Sequence, residues 1–304
     1  MSARHDKIGF VGLGRMGRPM ASNLQNKGFE LLVFDQNPAA VEALRQLGAT
    51  AAENVAEIAR GSDIVVTMLP SSPDVESVVL GPDGVLVNGH AGQLILEMST
   101  IDPAVTGLIA QRLAAQGLAF VDAPVGRLAA HADRGECLFM VGADAADFER
   151  VLPLLQAMGS TIFHCGQVGA GIRTKLVNNY LVVVSCQLNA EALALSQSFG
   201  LDLDKTLEVI RGTSAINGQL TLNWANKVLA GDLAPGFAID LAHKDLSLIL
   251  DAANGAQIPM PVAAAAREMF TQARANGYGK RDFSAMGDFL CELASLRKPR
   301  VKAT

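Results

Sequence analysis

Cysteine is scarce, and no two cysteines are spaced as a pair. Cys137, Cys165, Cys186 and Cys291 stand far apart, with no C-x-x-C and no histidine at metal-ligand spacing from them. A disulfide scaffold and a structural metal site are excluded on that count, and the thiols are expected to stay reduced, as in the cytoplasm. Charge is also thin: 18% of the residues are charged, and 25 basic against 30 acidic residues leave a net charge of −5. No Lys/Arg run exceeds two residues before the tail Arg297–Lys302, which argues against nucleic acid as a partner. Long apolar runs are missing too. Leu176 to Leu195 is interrupted by Asn178, Asn179, Gln187, Asn189 and Glu191, so it reads as a helix buried in protein and not as a membrane span. The polar start Met1–Lys7 lacks the apolar core of a signal peptide, so a cytoplasmic location is expected.

What is present is a globular composition: 304 residues, 50% hydrophobic, with Gly, Pro and Ser scattered along the chain. At about 150 residues per domain, two domains are expected. From Lys7 to about Gly166, short β-branched runs alternate with amphipathic segments. This predicts an α/β unit, a Rossmann-type doubly wound parallel sheet over residues 1–168. The candidate strands are Lys7–Leu13, Glu30–Phe34, Ile64–Met68, Leu94–Met98, Ala119–Asp122, Leu138–Gly142 and Thr161–Cys165. Helices are expected near Met16–Lys27, Ala39–Leu47, Val55–Ala59, Ala104–Gln116 and Asp144–Met158. After Gly166 the strand signal stops, and an all-α domain is expected over residues 169–304, opening with one long helix to about Ser198. That helix and the helical domain point to a homodimer or homotetramer with an apolar interface.

The run Gly12-Leu13-Gly14-Arg15-Met16-Gly17 follows the first strand at once and opens a helix. In that context G-x-G-x-x-G is a dinucleotide fingerprint. Gly12 permits the turn, Gly14 lets the backbone approach a pyrophosphate, and Gly17 lets the helix pack close while its N–H groups face the anion. Asp35 stands eighteen residues past Gly17, at the end of the second strand, where a carboxylate bonds a ribose 2′-hydroxyl. It would repel a 2′-phosphate, and Gln36 and Asn37 supply no Arg to receive one, so NAD, as NADH over NADPH, is the expected cofactor. Leu69-Pro70 and Ser99-Thr100 lie at further strand ends facing the ligand crevice of such a sheet; the same residues also fit a strand terminator and a helix cap.

Lys175, Asn178 and Asn179 recur at i, i+3 and i+4 within a helical pattern, hence on one face flanked by apolar residues. A buried Lys has its ammonium pKa drawn down toward the range of proton transfer. The spacing equally fits a Lys that snorkels to solvent beside two Asn residues bonded to nearby backbone.

Gly12–Gly17, Met98-Ser99-Thr100, Asp122-Ala123-Pro124-Val125 and Gly169–Asn179 together resemble the β-hydroxyacid dehydrogenase family, over nearly the whole chain. That resemblance implies an NAD-dependent oxidoreductase acting on a CH–OH group. It implies that Lys175 is the proton donor and acceptor, that Asn179 helps position it, that Lys244 lies near the nicotinamide, and that Ser99 and Thr100 line substrate and cofactor. Most members continue Asp-x-Pro-Val with Ser-Gly-Gly, where this chain has Gly126-Arg127-Leu128. A guanidinium offers a planar fork of donors to an oxyanion such as a sulfonate or a more distant carboxylate. With Asn178-Asn179-Tyr180 and Asp240–Leu246, the Gly126-Arg127 pair is similar to the branch that reduces 3-sulfolactaldehyde to 2,3-dihydroxypropane-1-sulfonate. The substrate is then a small anionic aldehyde, held by Arg127, Asn178 and Ser99. A carboxylate semialdehyde (tartronate, methylmalonate or succinate semialdehyde, or the 3-hydroxyisobutyrate couple) is the alternative, and a non-catalytic NAD-binding module a more distant one. His243 neighbours Lys244 and points about 100° away around a helix, so it is read as structural, and Trp224 as a packing residue.

Overall fold

The apolar runs of the first half become strands. The computed structural model describes residues 6–301. Its strands are β1 (Ile8–Val11), β2 (Leu31–Phe34), β3 (Thr50–Ala51), β4 (Ile64–Thr67), β5 (Leu94–Glu97), β6 (Ala119–Asp122), β7 (Val125–Gly126), β8 (Cys137–Gly142) and β9 (Gly159–Gly166). They form one sheet in the order β3-β2-β1-β4-β5-β6-β8-β7, with β9 paired to β8. The first six follow the 3-2-1-4-5-6 order of a dinucleotide-binding sheet, all parallel. β1, β4 and β5 are buried at every position, as strands covered on both faces must be. One apolar cluster lies around Phe10, Leu96 and Phe139, and another around Val65, Ile95 and Phe120.

The sheet is not wholly parallel, as the sequence reading had it. β8 runs antiparallel to β6 and β7 because the connection from Gly126 to Cys137 is too short for a crossover. Helices α1 (Gly17–Asn26), α2 (Pro38–Arg45), α3 (Val55–Gly61), α4 (Ser72–Leu80), α5 (Val85–Asn88), α6 (Pro103–Ala114), α7 (Ala129–Asp133) and α8 (Ala145–Met158) fill the intervals. The expected elements are all present within a few residues, while β3, β7, α4, α5 and α7 are additions.

The chain divides into two compact units, with the break after Lys175. It falls inside helix α9 (Ala170–Ser198), seven residues beyond the boundary expected from sequence. The second unit continues with α10 (Leu203–Arg211), α11 (Ile239–Gly255), α12 (Pro261–Ala275) and α13 (Met286–Leu293). Among its described residues no strand forms beyond a single bridge between Ala238 and Asp282. Its core gathers around Trp224, Phe270 and Phe283, which gives Trp224 its packing role. No described helix is long and apolar enough to cross a membrane.

Candidate active site

The glycine loop is built as its spacing requires. Gly12 has φ 96°, and a Cβ there would stand 2.3 Å from the Met68 carbonyl oxygen. A Cβ on Gly17 would stand 1.9 Å from the Gly12 oxygen, whereas a Cβ on Gly14 would meet nothing within 4 Å. Gly14 and Arg15 are exposed, Leu13 is buried, and Met16, half-buried, packs on the core and precedes the first turn of α1. The loop therefore presents open backbone in front of a helix N-terminus, the shape and polarity a pyrophosphate needs. Asp35, just past β2, accepts from the Leu13 N–H at 2.6 Å and the Asn37 N–H at 2.7 Å, so its carboxylate is held beside that cradle. A nicotinamide dinucleotide fits these residues.

At the ends of β4 and β5 the structure adds a residue that the sequence reading missed. Glu97, the last residue of β5, is 1% exposed; it accepts from the Ser99 N–H and from the Thr67 hydroxyl. The Ser99 hydroxyl also bonds this carboxyl, and its oxygen accepts from the Leu69 N–H at 2.8 Å. Burial raises the Glu97 pKa to about 7 against the lowering effect of these donors. Ser99, expected to touch substrate, is thus buried with its polar atoms turned to Glu97 and Leu69. It does not cap the next helix either: Asp102 does, accepting from the Ala104 N–H at 2.7 Å. Thr100 and Leu69 are half-buried and Pro70 is exposed.

β6 and β7 carry the next groups. Asp122 accepts from the Gly169 and Ile172 N–H groups at 2.5 and 2.7 Å and so fastens the start of α9; burial raises its pKa to about 6. Three residues later the Val125 carbonyl accepts from Lys175 Nζ at 2.6 Å. Lys175 is buried, at 9% exposure, so it does not snorkel. Gly126 is buried against Leu138. Arg127 follows at φ 71° and is exposed, but its guanidinium already donates to the Glu136 carbonyl at 2.7 Å, Ser160 Oγ at 3.1 Å and Thr161 Oγ1 at 3.0 Å. All three acceptors are neutral, the charge of Arg127 acts on the nearby Glu136 carboxylate, and its Nε–H is spent on none of the three acceptors.

In the second unit Asn179 is buried and donates to Asp245 Oδ2 at 2.6 Å, and Lys244 Nζ stands 3.5 Å from Asp245 Oδ1. Asp245, 2% exposed, is a second residue that the sequence reading missed; its only signal was its place beside Lys244. Asn178 is exposed, against the buried face expected, and its amide donates to Asn179 Oδ1 at 3.1 Å. At i+3 it turns away from the Lys175 and Asn179 stripe toward Val177 and Leu181, themselves exposed. His243 bonds Thr271 Oγ1 at 3.0 Å and Arg274 at 3.1 Å, which makes it structural.

Residues 7–166 match the family described as the NAD binding domain of 6-phosphogluconate dehydrogenase, and residues 169–290 the one described as the NAD-binding of NADP-dependent 3-hydroxyisobutyrate dehydrogenase. The chain belongs to the 3-hydroxyisobutyrate dehydrogenase family. It is 46% identical over 279 residues to the 3-sulfolactaldehyde reductase of Escherichia coli, covering 92% of this chain and 94% of that one. It is 41% identical to the 2-(hydroxymethyl)glutarate dehydrogenase of Eubacterium barkeri, with 92% and 93% covered. A structure of Mycobacterium tuberculosis 3-hydroxyisobutyrate dehydrogenase with L-serine superposes with a TM-score of 0.86 at 29% identity, covering 94% of this chain and 99% of the other. The protein is an oxidoreductase of CH–OH groups that uses a nicotinamide cofactor.

Proposed function

We propose that the enzyme reduces a sulfonated semialdehyde of the 3-sulfolactaldehyde type with NADH, and that Lys175 gives the proton. The observation that carries this reading is the buried Lys175 ammonium, held at 2.6 Å by the carbonyl of Val125, two residues before Arg127. The segment Val125–Arg127 thus holds the Lys175 ammonium at one end and carries a guanidinium two residues on. The activity of the Escherichia coli relative supports the same substrate class.

The hydride would come from a nicotinamide held by the glycine loop and Asp35. The protein's own part is proton delivery and placement. Lys175 Nζ–H is directed by the Val125 carbonyl, and it donates to the aldehyde oxygen as negative charge develops there. Asn179, one turn further along α9, is fixed by Asp245, which keeps its remaining polar atoms in one orientation. Arg127 receives the sulfonate through donors not used on Glu136, Ser160 and Thr161. The Ser99 loop contributes by its shape, since the Ser99 hydroxyl is engaged from behind. Asp35 accepts the ribose 2′-hydroxyl and repels a 2′-phosphate, hence NADH over NADPH. We place the enzyme in the cytoplasm, as a homodimer or homotetramer, with Val177, Leu181, Leu188 and Leu195 on α9 as the apolar face that a second copy covers.

The test is NADH oxidation with 3-sulfolactaldehyde beside tartronate, methylmalonate and succinate semialdehydes. A kcat/KM preference for the sulfonate of about 100-fold, or about 2.7 kcal/mol of transition-state binding, is expected. A preference for a carboxylate would overturn the sulfonate assignment and leave Lys175 and the cofactor in place.

A further inference from the structure

We propose that Glu97 is a positioning residue for the nicotinamide cofactor, locking the loop after β4 to the loop after β5 through Thr67 on one side and Ser99 on the other. The inference rests on the reading that these two loops, at Leu69-Pro70 and Ser99-Thr100, meet the cofactor.

The bonds form a closed ring. Thr67 ends β4 and donates to Glu97; Glu97 ends β5 and accepts from the amide and hydroxyl of Ser99; the Ser99 oxygen accepts from the amide of Leu69, two residues past Thr67. Each loop is thereby tied to its neighbour by side chain and backbone together. β4 and β5 are also paired through backbone, with Thr67 opposite Glu97, but that pairing ends where the loops begin. Beyond it the ring ties the first residues of the two loops, and further along the Asp102 N–H donates to the Ser72 hydroxyl at 3.0 Å at the start of α4.

A ring of three donors around one carboxyl needs the carboxylate. A carboxylic acid carries a proton of its own on one oxygen, which then has to donate, so one incoming bond is lost or reversed. Burial places this change near neutrality, with Glu97 at about 7. Thr67 and Ser99 face it as neutral groups, and from β6 the charged Asp122 raises it. The loops are therefore locked on the alkaline side of neutrality and loosened on the acid side.

Calorimetric titration with NADH reads this without turnover. For the wild type the Kd is expected to rise about tenfold from about pH 8 to about pH 6, the weight of one hydrogen bond to a charged acceptor. Glu97→Gln keeps the shape, cannot titrate, and is expected to bind at the weak level at both values. Thr67→Val removes one donor and is expected to weaken binding at pH 8 while keeping part of the pH dependence. The proposal is overturned if Glu97→Gln binds as tightly as wild type at pH 8 or retains the acid limb, or if Thr67→Val binds unchanged. A wild type that binds neither NADH nor NADPH overturns the cofactor reading and this proposal with it. Tight NADH binding with no activity on a sulfonate overturns only the substrate assignment.

Discussion

Lys175 holds its ammonium in a buried place with the Val125 carbonyl as a partner, so truncating it removes a proton donor without disturbing the glycine loop. Lys175→Ala is expected to lower kcat by about 10²–10⁴ with the NADH Kd unchanged, measured by steady-state kinetics and calorimetry on one preparation. Loss of NADH binding instead would assign Lys175 to the cofactor site. Gly17→Ala behaves oppositely: its Cβ would stand 1.9 Å from the Gly12 oxygen, so the loop must shift and cofactor affinity is expected to fall at least tenfold. The glycines and Asp35 are legible in the sequence because their spacing ties them to the ends of two strands, whereas the spacing of Lys175 fits a snorkelling side chain equally well and only the family resemblance gives it a role; its burial is what the structure adds. Glu97 and Asp245 are not legible, since a lone acid in an apolar run carries no sign of its partners until strand pairing and helix packing supply Thr67, Ser99 and Asn179.

Elements were legible where their period was long. The parallel strands and α1, α6, α8 and α9 announce themselves by length and apolar pattern, while β3 and β7 are two residues each and exist only by pairing with β2 and β8. α4 was hidden by Ser71-Ser72-Pro73, which reads as a turn although Pro is at home in a first helical turn. The buried carboxyl at the end of β5 sets a pH signature on the sheet. Its folded pKa, about 7, lies above the ordinary value of 4.5, so its stabilising contribution is complete below about 4.5 and lost as pH rises to about 7. Across that window wild type is expected to lose up to about 3 kcal/mol relative to Glu97→Gln, visible as converging or crossing plots of Tm against pH. Parallel plots would mean that the carboxyl titrates alike in the folded and unfolded chains. Asp122 acts in the same sense up to about 6, at the start of α9.

Over the whole molecule, the division into a sheet unit and a helical unit followed from the disappearance of β-branched runs after Gly166. The position of the break inside α9 did not, because a continuous helix gives no compositional mark where its packing partners change. Val177, Leu181, Leu188 and Leu195 recur at spacings of 4, 7 and 7, the period of one helix face, and each is more than half exposed. Light scattering at micromolar concentration is expected to show a dimer or tetramer, and Leu188→Glu to shift it toward monomer. A wild-type monomer would remove the interface.

The backbone at Arg127 has one more implication. A non-glycine residue in the left-handed region carries strain of about 1–3 kcal/mol, and here the guanidinium's bonds to Glu136, Ser160 and Thr161 offset it. Exchange with glycine would relax the turn as it deletes the cation, so gain and loss nearly cancel in the fold while the charge offered to a ligand changes completely. With Arg127 in its proposed role as the anion holder, position 127 is then a place where substrate preference can drift at almost constant foldedness, and directed evolution of this scaffold toward other anions would do well to begin there.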